Sequence, residues 1–277
     1  MRLRRLLRRS YQRIRRKIRR TGLIKTSTFF GCPLWGIPGE TVTESIVGSG
    51  AFEAFNARLM LEFASEGMTI IDVGAHIGFF SALGSWIAGS NGQVHAFEPT
   101  PSTFAILQKN VEFMRRYCPV VVPNMSAVGS HVGSAALLVC ESNMSSRNTL
   151  AVLPRLADKS RMARLLTNQC EVPIVTLDEY CHKNVLEPGY IKIDAESYEM
   201  EVIKGACWVI SSFRPILSIE VGDCDIPDVP KSSETVAWIM KNGYVPYECN
   251  QGKIIPHEPQ HRYETARDLL FLPTERA

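Results

Sequence analysis

The chain has no apolar run approaching the roughly 18 residues a membrane-spanning helix needs, so no spanning helix is expected. Its N-terminus starts with charge but has neither an apolar stretch nor a small-residue cleavage site, and a secreted protein is not expected either. No Cys-x-x-Cys pair occurs among the eight cysteines, which fits buried thiols in a reducing, cytoplasmic compartment better than a disulfide or zinc framework. A Gly-x-x-x-x-Gly-Lys phosphate loop is also missing, so ATP use has no support. What remains is an ordinary globular composition, 45% apolar and 21% charged over 277 residues, enough for one catalytic domain with appendages.

Charge is distributed unevenly. Residues 1–20 hold ten arginines and Lys17 with no acid, whereas the rest carries 20 basic against 28 acidic residues. Within that tail Leu3, Leu7, Tyr11, Ile14 and Ile18 fall on one face of a helix, with arginines around the remainder. A basic amphipathic helix of this kind could lie on an anionic membrane surface or contact RNA phosphates. A solvated arm and an Arg-rich targeting peptide are the plainer alternatives. We therefore divide the chain into a basic tail (1–20), a linker with a short hairpin (21–50) and a catalytic domain (51–277).

From Met68 onward, strands and helices alternate: strand 68–73, helix 78–88, strand 93–97, helix 102–115, strand 119–122. After an irregular middle the pattern resumes with strand 189–194, helix 199–210, strand 215–221, helix 232–242, strand 243–247 and a closing strand 269–272. This rhythm predicts an α/β fold around a doubly wound, mostly parallel sheet. The polar stretch 141–148 is a candidate substrate lid.

The chemistry concentrates at two strand ends. Ile70-Ile-Asp-Val-Gly-Ala-His-Ile-Gly78 is an apolar strand that ends near Asp72 and breaks into a glycine turn before an apolar helix. Glu98 closes the next strand roughly 20 residues past the glycines, where a carboxylate can accept both ribose hydroxyls. A nicotinamide fold would place a glycine where His76 stands, so that the backbone could approach a pyrophosphate. A cofactor with a ribose, a positive charge and no phosphate suits the site better, and S-adenosylmethionine is such a molecule.

Four blocks, in this order, resemble the FkbM family of S-adenosylmethionine-dependent methyltransferases over roughly residues 50–275. They are Ile71-Asp-Val-Gly-Ala-His-Ile-Gly-Phe-Phe-Ser81, Val94-His-Ala-Phe-Glu-Pro-Thr-Pro101, Val175-Thr-Leu-Asp-Glu-Tyr180, and Ile191-Lys-Ile-Asp-Ala-Glu-Ser-Tyr-Glu199 followed by Val202-Ile-Lys-Gly-Ala206. The resemblance implies a Rossmann-like, seven-stranded class I methyltransferase sheet with an antiparallel final strand. It implies that Asp72, Gly74, His76, Gly78 and Glu98 shape the cofactor site and that the turn Asn124–Ala127, with Ser126, borders the adenine. Asp194 and Glu196 would stand beside the methyl group as catalytic residues. The chain departs from the family at His76, most often Asn, and at Ser197, usually Gly, where a changed loop would affect substrate choice.

Transfer to a hydroxyl needs the acceptor held in line with the methyl and a base for its proton, a task for Asp194 or Glu196, with Glu220 and His182 behind them. The expected acceptor is a small molecule or glycan. His257-Glu-Pro-Gln-His261 matches a zinc-protease pattern by its letters, but Pro259 breaks the required helix, so it reads as a loop, and no other grouping has metal-ligand spacing. Metal independence is expected. Two rivals stand beside this reading. A nucleic-acid methyltransferase is disfavoured by the acidic body and by the lack of an Asn-Pro-Pro-Tyr type motif. A partner protein that keeps the fold but has lost turnover is the other.

Overall fold

The computed structural model describes residues 22–115, 120–140, 166–223 and 229–277. The basic tail and the polar stretch 141–148 lie outside the described residues.

The described chain opens with a short antiparallel ladder, β1 (Ile24–Lys25) and β2 (Trp35–Gly36), followed by helices α1 (Thr41–Ser49) and α2 (Ala54–Phe63). Strands and helices then alternate through β3 (Thr69–Val73), α3 (Phe79–Ala88), β4 (Gln93–Phe97), α4 (Pro101–Met114) and β5 (Val121–Asn124). Next come β6 (Ala127–Val128), β7 (Gly133–Cys140) and β8 (Leu166–Val175), which pair as a separate three-stranded sheet, and then α5 (Leu177–Asn184). The alternation resumes with β9 (Pro188–Ile193), α6 (Glu199–Lys204), α7 (Cys207–Phe213), β10 (Ile216–Val221) and α8 (Ser232–Lys241), and closes with β11 (Tyr244–Asn250), β12 (Lys253–Pro256) and β13 (Arg267–Pro273).

The main sheet runs β12-β11-β13-β10-β9-β3-β4-β5. Its five strands from β10 to β5 are parallel, and β13 and β11 join antiparallel. Ile70, Ile71 and Val73 of β3 are all buried, because a central parallel strand is covered on both faces. Ile70 packs with Leu83, Val94 and Leu107 on one side, and Ile71 with Phe97, Ile191 and Val202 on the other. Successive crossovers from β3 lead toward β4 and β5 on one side, while β9 and β10 lie on the other. That switch point opens a crevice at the carboxyl ends of the strands, where such sheets bind ligands.

The sheet has eight strands rather than the expected seven. The extra one, β12, folds back on β11 through Gln251 and Gly252, both with positive φ, and its four residues carry too little pattern to announce a strand. The segment 21–50 contains the expected hairpin, but it is more than a linker. It also forms α1, and Cys32, Leu34, Val42 and Ile46 are buried in the core. The expected helix 199–210 is broken into α6 and α7 at Gly205, which approaches the Gly129 carbonyl so closely that a Cβ would lie 1.9 Å from its oxygen. Helix α5 was not foreseen. Thr176 caps it by accepting from the Glu179 N–H at 3.1 Å, and Leu177 and Cys181, one turn apart, bury its inner face.

Candidate active site

The turn after β3 is shaped by what its residues must avoid. Gly74 has φ of 81°, and a Cβ there would lie 1.9 Å from the Asp194 carbonyl oxygen. The N–H groups of Gly74 and Ala75 both donate to the Phe97 carbonyl, at 3.0 and 2.9 Å, which ties the turn to the end of β4. Gly78, with φ of 93°, leaves room for Leu107, whose Cδ1 a Cβ would meet at 2.7 Å. Its role in the fold is therefore to let α3 pack on α4, and it is not on the cavity wall.

His76 completes the turn in a left-handed conformation, φ 52°. Its N–H donates to Glu98 Oε2 at 3.1 Å, and the Thr100 N–H donates to Glu98 Oε1 at 2.8 Å. Two backbone donors thus orient the Glu98 carboxylate. Burial raises the Glu98 carboxyl, while His76 and the Thr100 N–H pull it back; the net direction is up. Asp72 sits beneath the turn instead of on the cavity wall, accepting from Ser81 Oγ at 2.6 Å and paired in register with Lys192 of β9. Ser126, after β5, does reach the wall.

The other half of the site stands at the ends of β9 and β10. Lys192, only 2% exposed, places Nζ 2.9 Å from Asp194 Oδ2 and 4.8 Å from the centre of the Phe80 ring. Burial alone would lower this ammonium, but Asp194, Glu53 and Asp72 outweigh it and hold it strongly upward, so Lys192 stays charged. Asp194, Glu196 and Glu220 each bring a carboxylate oxygen within 4.8 Å of the others. Burial, followed by repulsion from Asp194 and Glu196, pushes Glu220 up to about 10, so it keeps a proton at neutral pH. In sequence these acids had no ligand spacing; the fold gathers them into a set that could hold a divalent ion.

The loop between them settles the departure at Ser197. Glu196 and Ser197 adopt φ of 49° and 74°, so the loop keeps a glycine-type conformation with serine in it. Glu199 Oε1 accepts from the Ala195 and Ser197 N–H groups at 3.0 and 3.2 Å and braces the turn. Burial pushes Glu199 up to about 7. Glu53, at the start of α2, is likewise raised to about 7, mainly by burial.

All of this surrounds one cavity of about 430 Å³. Gly74, His76, Glu98 and Ser126 line one part, and Lys192, Asp194, Glu196 and Glu220 line another. Its size lies within the range of small-molecule and cofactor sites. His182 is elsewhere, on α5 against Trp208 at 6.0 Å between rings. His257 and His261 lie in the loop between β12 and β13, as expected; His257 is buried, with Glu248 Oε2 at 2.6 Å and the Tyr263 hydroxyl at 2.9 Å. Sequence reasoning missed Glu53, Lys192 and Glu199 as wall residues. Lys192 and Glu199 were inside the fourth block, and a lysine within a central buried strand was the available signal.

A parallel sheet wound outward from β3, an antiparallel last strand and a strand-end carboxylate beside a glycine turn define a class I methyltransferase-type α/β protein. Residues 72–246 match the family described as Methyltransferase FkbM domain, and the chain belongs to that family, whose cofactor is S-adenosylmethionine. It is 28% identical over 175 residues to the hexuronic acid methyltransferase AglP of Haloferax volcanii, an alignment covering 63% of this chain and 64% of that protein. The chain thus spans about 64% of the length of the curated relative it matches. Among solved structures it is similar to Methyltransferase FkbM from Methylobacillus flagellatus KT, at 16% identity and a TM-score of 0.46, covering 76% of this chain and 44% of that one. It is also similar to Aeropyrum pernix fibrillarin with S-adenosyl-L-methionine bound, at 13% identity and a TM-score of 0.43, covering 91% and 94%.

Proposed function

We propose that this chain is an S-adenosylmethionine-dependent methyltransferase acting on a hydroxyl of a sugar, glycan or secondary metabolite. The observation that carries the reading is Glu98, oriented by two backbone donors on the wall of the same cavity that holds the Asp194 cluster. The similarity to a protein named hexuronic acid methyltransferase supports a sugar hydroxyl as acceptor.

Bound in this cavity, S-adenosylmethionine would supply an electrophilic methyl group. Glu98 accepts the ribose hydroxyls, Gly74 and His76 shape the pocket around them, and Ser126 borders the adenine. Asp194 and Glu196 orient the acceptor hydroxyl and take its proton. Lys192 occupies Asp194 Oδ2 and leaves the other oxygen for that task. Protonated Glu220 relieves like-charge repulsion on its two neighbours. Attachment of the enzyme to an anionic membrane through residues 1–20, on the cytoplasmic side, belongs to the same reading; among the described residues no helix is long and apolar enough to cross a membrane.

The test is transfer of labelled methyl from S-adenosylmethionine to a panel of glycans and small hydroxyl compounds, uronic acids included. Label in an alkali-stable ether product is expected. Tight cofactor binding with no transfer to any acceptor would instead favour the non-catalytic partner protein.

A further inference from the structure

Glu40 lies in the segment read from sequence as a linker, immediately before α1, and its side chain is fully buried. Its Oε1 stands 3.1 Å from His76 Nε2. That is an ion-pair distance, and neither carboxylate oxygen accepts a hydrogen bond from any described residue. A charge at that depth has to be paired, and His76 is the described residue whose ring meets this side chain.

His76 faces the other way as well. Its ring lines the cavity, and its main-chain N–H holds Glu98 Oε2 at 3.1 Å. Among the described residues, the titratable groups acting on its ring include Glu40, Glu98 and Asp194. Burial alone would drive the imidazole toward neutrality, but these three carboxylates, Glu40 foremost, outweigh burial, and the net direction is up. Glu98 in turn is raised by burial and drawn back down most strongly by His76. Two residues past Glu40, Val42 reaches the cavity wall, so the same segment touches the site directly.

We infer that Glu40 is a positioning residue for the cofactor: it holds His76 as an imidazolium, and that imidazolium keeps Glu98 ionised to accept the ribose hydroxyls. This rests on the cofactor reading of the cavity. It makes the N-terminal segment part of the binding site and gives the histidine a job that the family's usual asparagine, which carries no charge, does not do.

Calorimetric titration of S-adenosylmethionine into wild type and Glu40→Gln at pH 6, 7.5 and 9 tests it. Wild-type affinity is expected to stay level between pH 6 and 7.5. Without Glu40 the imidazole loses its proton, Glu98 takes one up at higher pH, and affinity falls about tenfold at pH 6 but recovers by pH 9. A purely structural role for Glu40 would lower affinity equally at every pH, and that result overturns the inference, as does a variant that tracks wild type throughout. Wild type that binds no cofactor at all overturns the cofactor reading itself, and the relay with it. Should Glu40→Gln not fold, imidazole NMR of the wild-type protein decides, with the His76 signal identified by its loss in His76→Asn. Titration well above an ordinary histidine supports the pair, and an ordinary or lower midpoint rules it out.

Discussion

Gly74 and Asp194 each directly follow a different strand of the sheet, yet the α-carbon of one faces the main-chain carbonyl of the other so closely that a Cβ would lie 1.9 Å from the oxygen. The glycine turn and the acidic cluster are therefore packed against each other through backbone, and neither can shift alone. Gly74→Ala should disrupt both. Left-handed strain alone costs about 1–2 kcal/mol, and the clash adds to it. The expected outcome is a lower unfolding midpoint together with lost cofactor binding; thermal melts and calorimetry would show it, and unchanged binding would mean the turn does not belong to the site.

Glu98→Ala removes the proposed ribose acceptor while leaving the turn's glycines in place. Cofactor affinity should weaken by about tenfold or more, the loss expected for a hydrogen-bonded charged acceptor. Calorimetry reads this directly, and an affinity equal to wild type would refute the ribose contact.

Asp194→Asn keeps the shape of the side chain but cannot take a proton. Turnover should fall by about 10²–10⁴-fold with cofactor affinity nearly unchanged. If kcat holds, Asp194 is not the base and Glu196 takes its place as the residue to substitute. In neither case is a divalent ion expected to be needed, because Lys192 already supplies a cation to Asp194 at 2.9 Å. A chelator should change the rate by less than about twofold; abolished transfer, restored by magnesium or manganese, would show that Asp194, Glu196 and Glu220 bind metal.

Ser197 holds a φ of 74°, which costs an L-residue what glycine avoids. Ser197→Gly should stabilise the protein by about 0.5–1 kcal/mol once the extra freedom of glycine in the unfolded chain is set against the relief. Chemical denaturation would detect this, and a destabilised variant would mean that the serine side chain makes a contact worth more than the strain.

Glu199 is raised from 4.5 to about 7 by burial. A carboxyl whose folded value lies above its unfolded value stabilises the fold fully below the unfolded value and loses that contribution as pH rises through the folded one. The wild-type melting temperature should therefore decline between pH 4.5 and 7 in part through Glu199. Glu199→Gln, which retains an acceptor for the Ala195 and Ser197 N–H groups, should flatten that decline; parallel profiles for the two proteins would exclude Glu199 as its source.

Much of the frame could be read from local pattern. The apolar run Ile70-Ile71 buried on both faces, the glycines that only a tight turn needs and the carboxylate at Glu98 each carry their physical reason within a few neighbouring residues, so the sequence by itself determined the parallel sheet, its turn and the acid at the next strand's end. Tertiary structure decided what depends on residues far apart in the chain. It removed Asp72 and Gly78 from the cavity wall, because a buried strand residue and a helix-packing glycine look the same in sequence as ligand-facing ones. It assembled Asp194, Glu196 and Glu220 from two strand ends and set Lys192 beneath them, since burial of charge is visible only once its partners are in place. And it brought Glu40 out of an apparent linker to His76, 36 residues away, because the pairing of two buried titratable side chains is a property of the packed molecule and leaves no periodic trace along the chain.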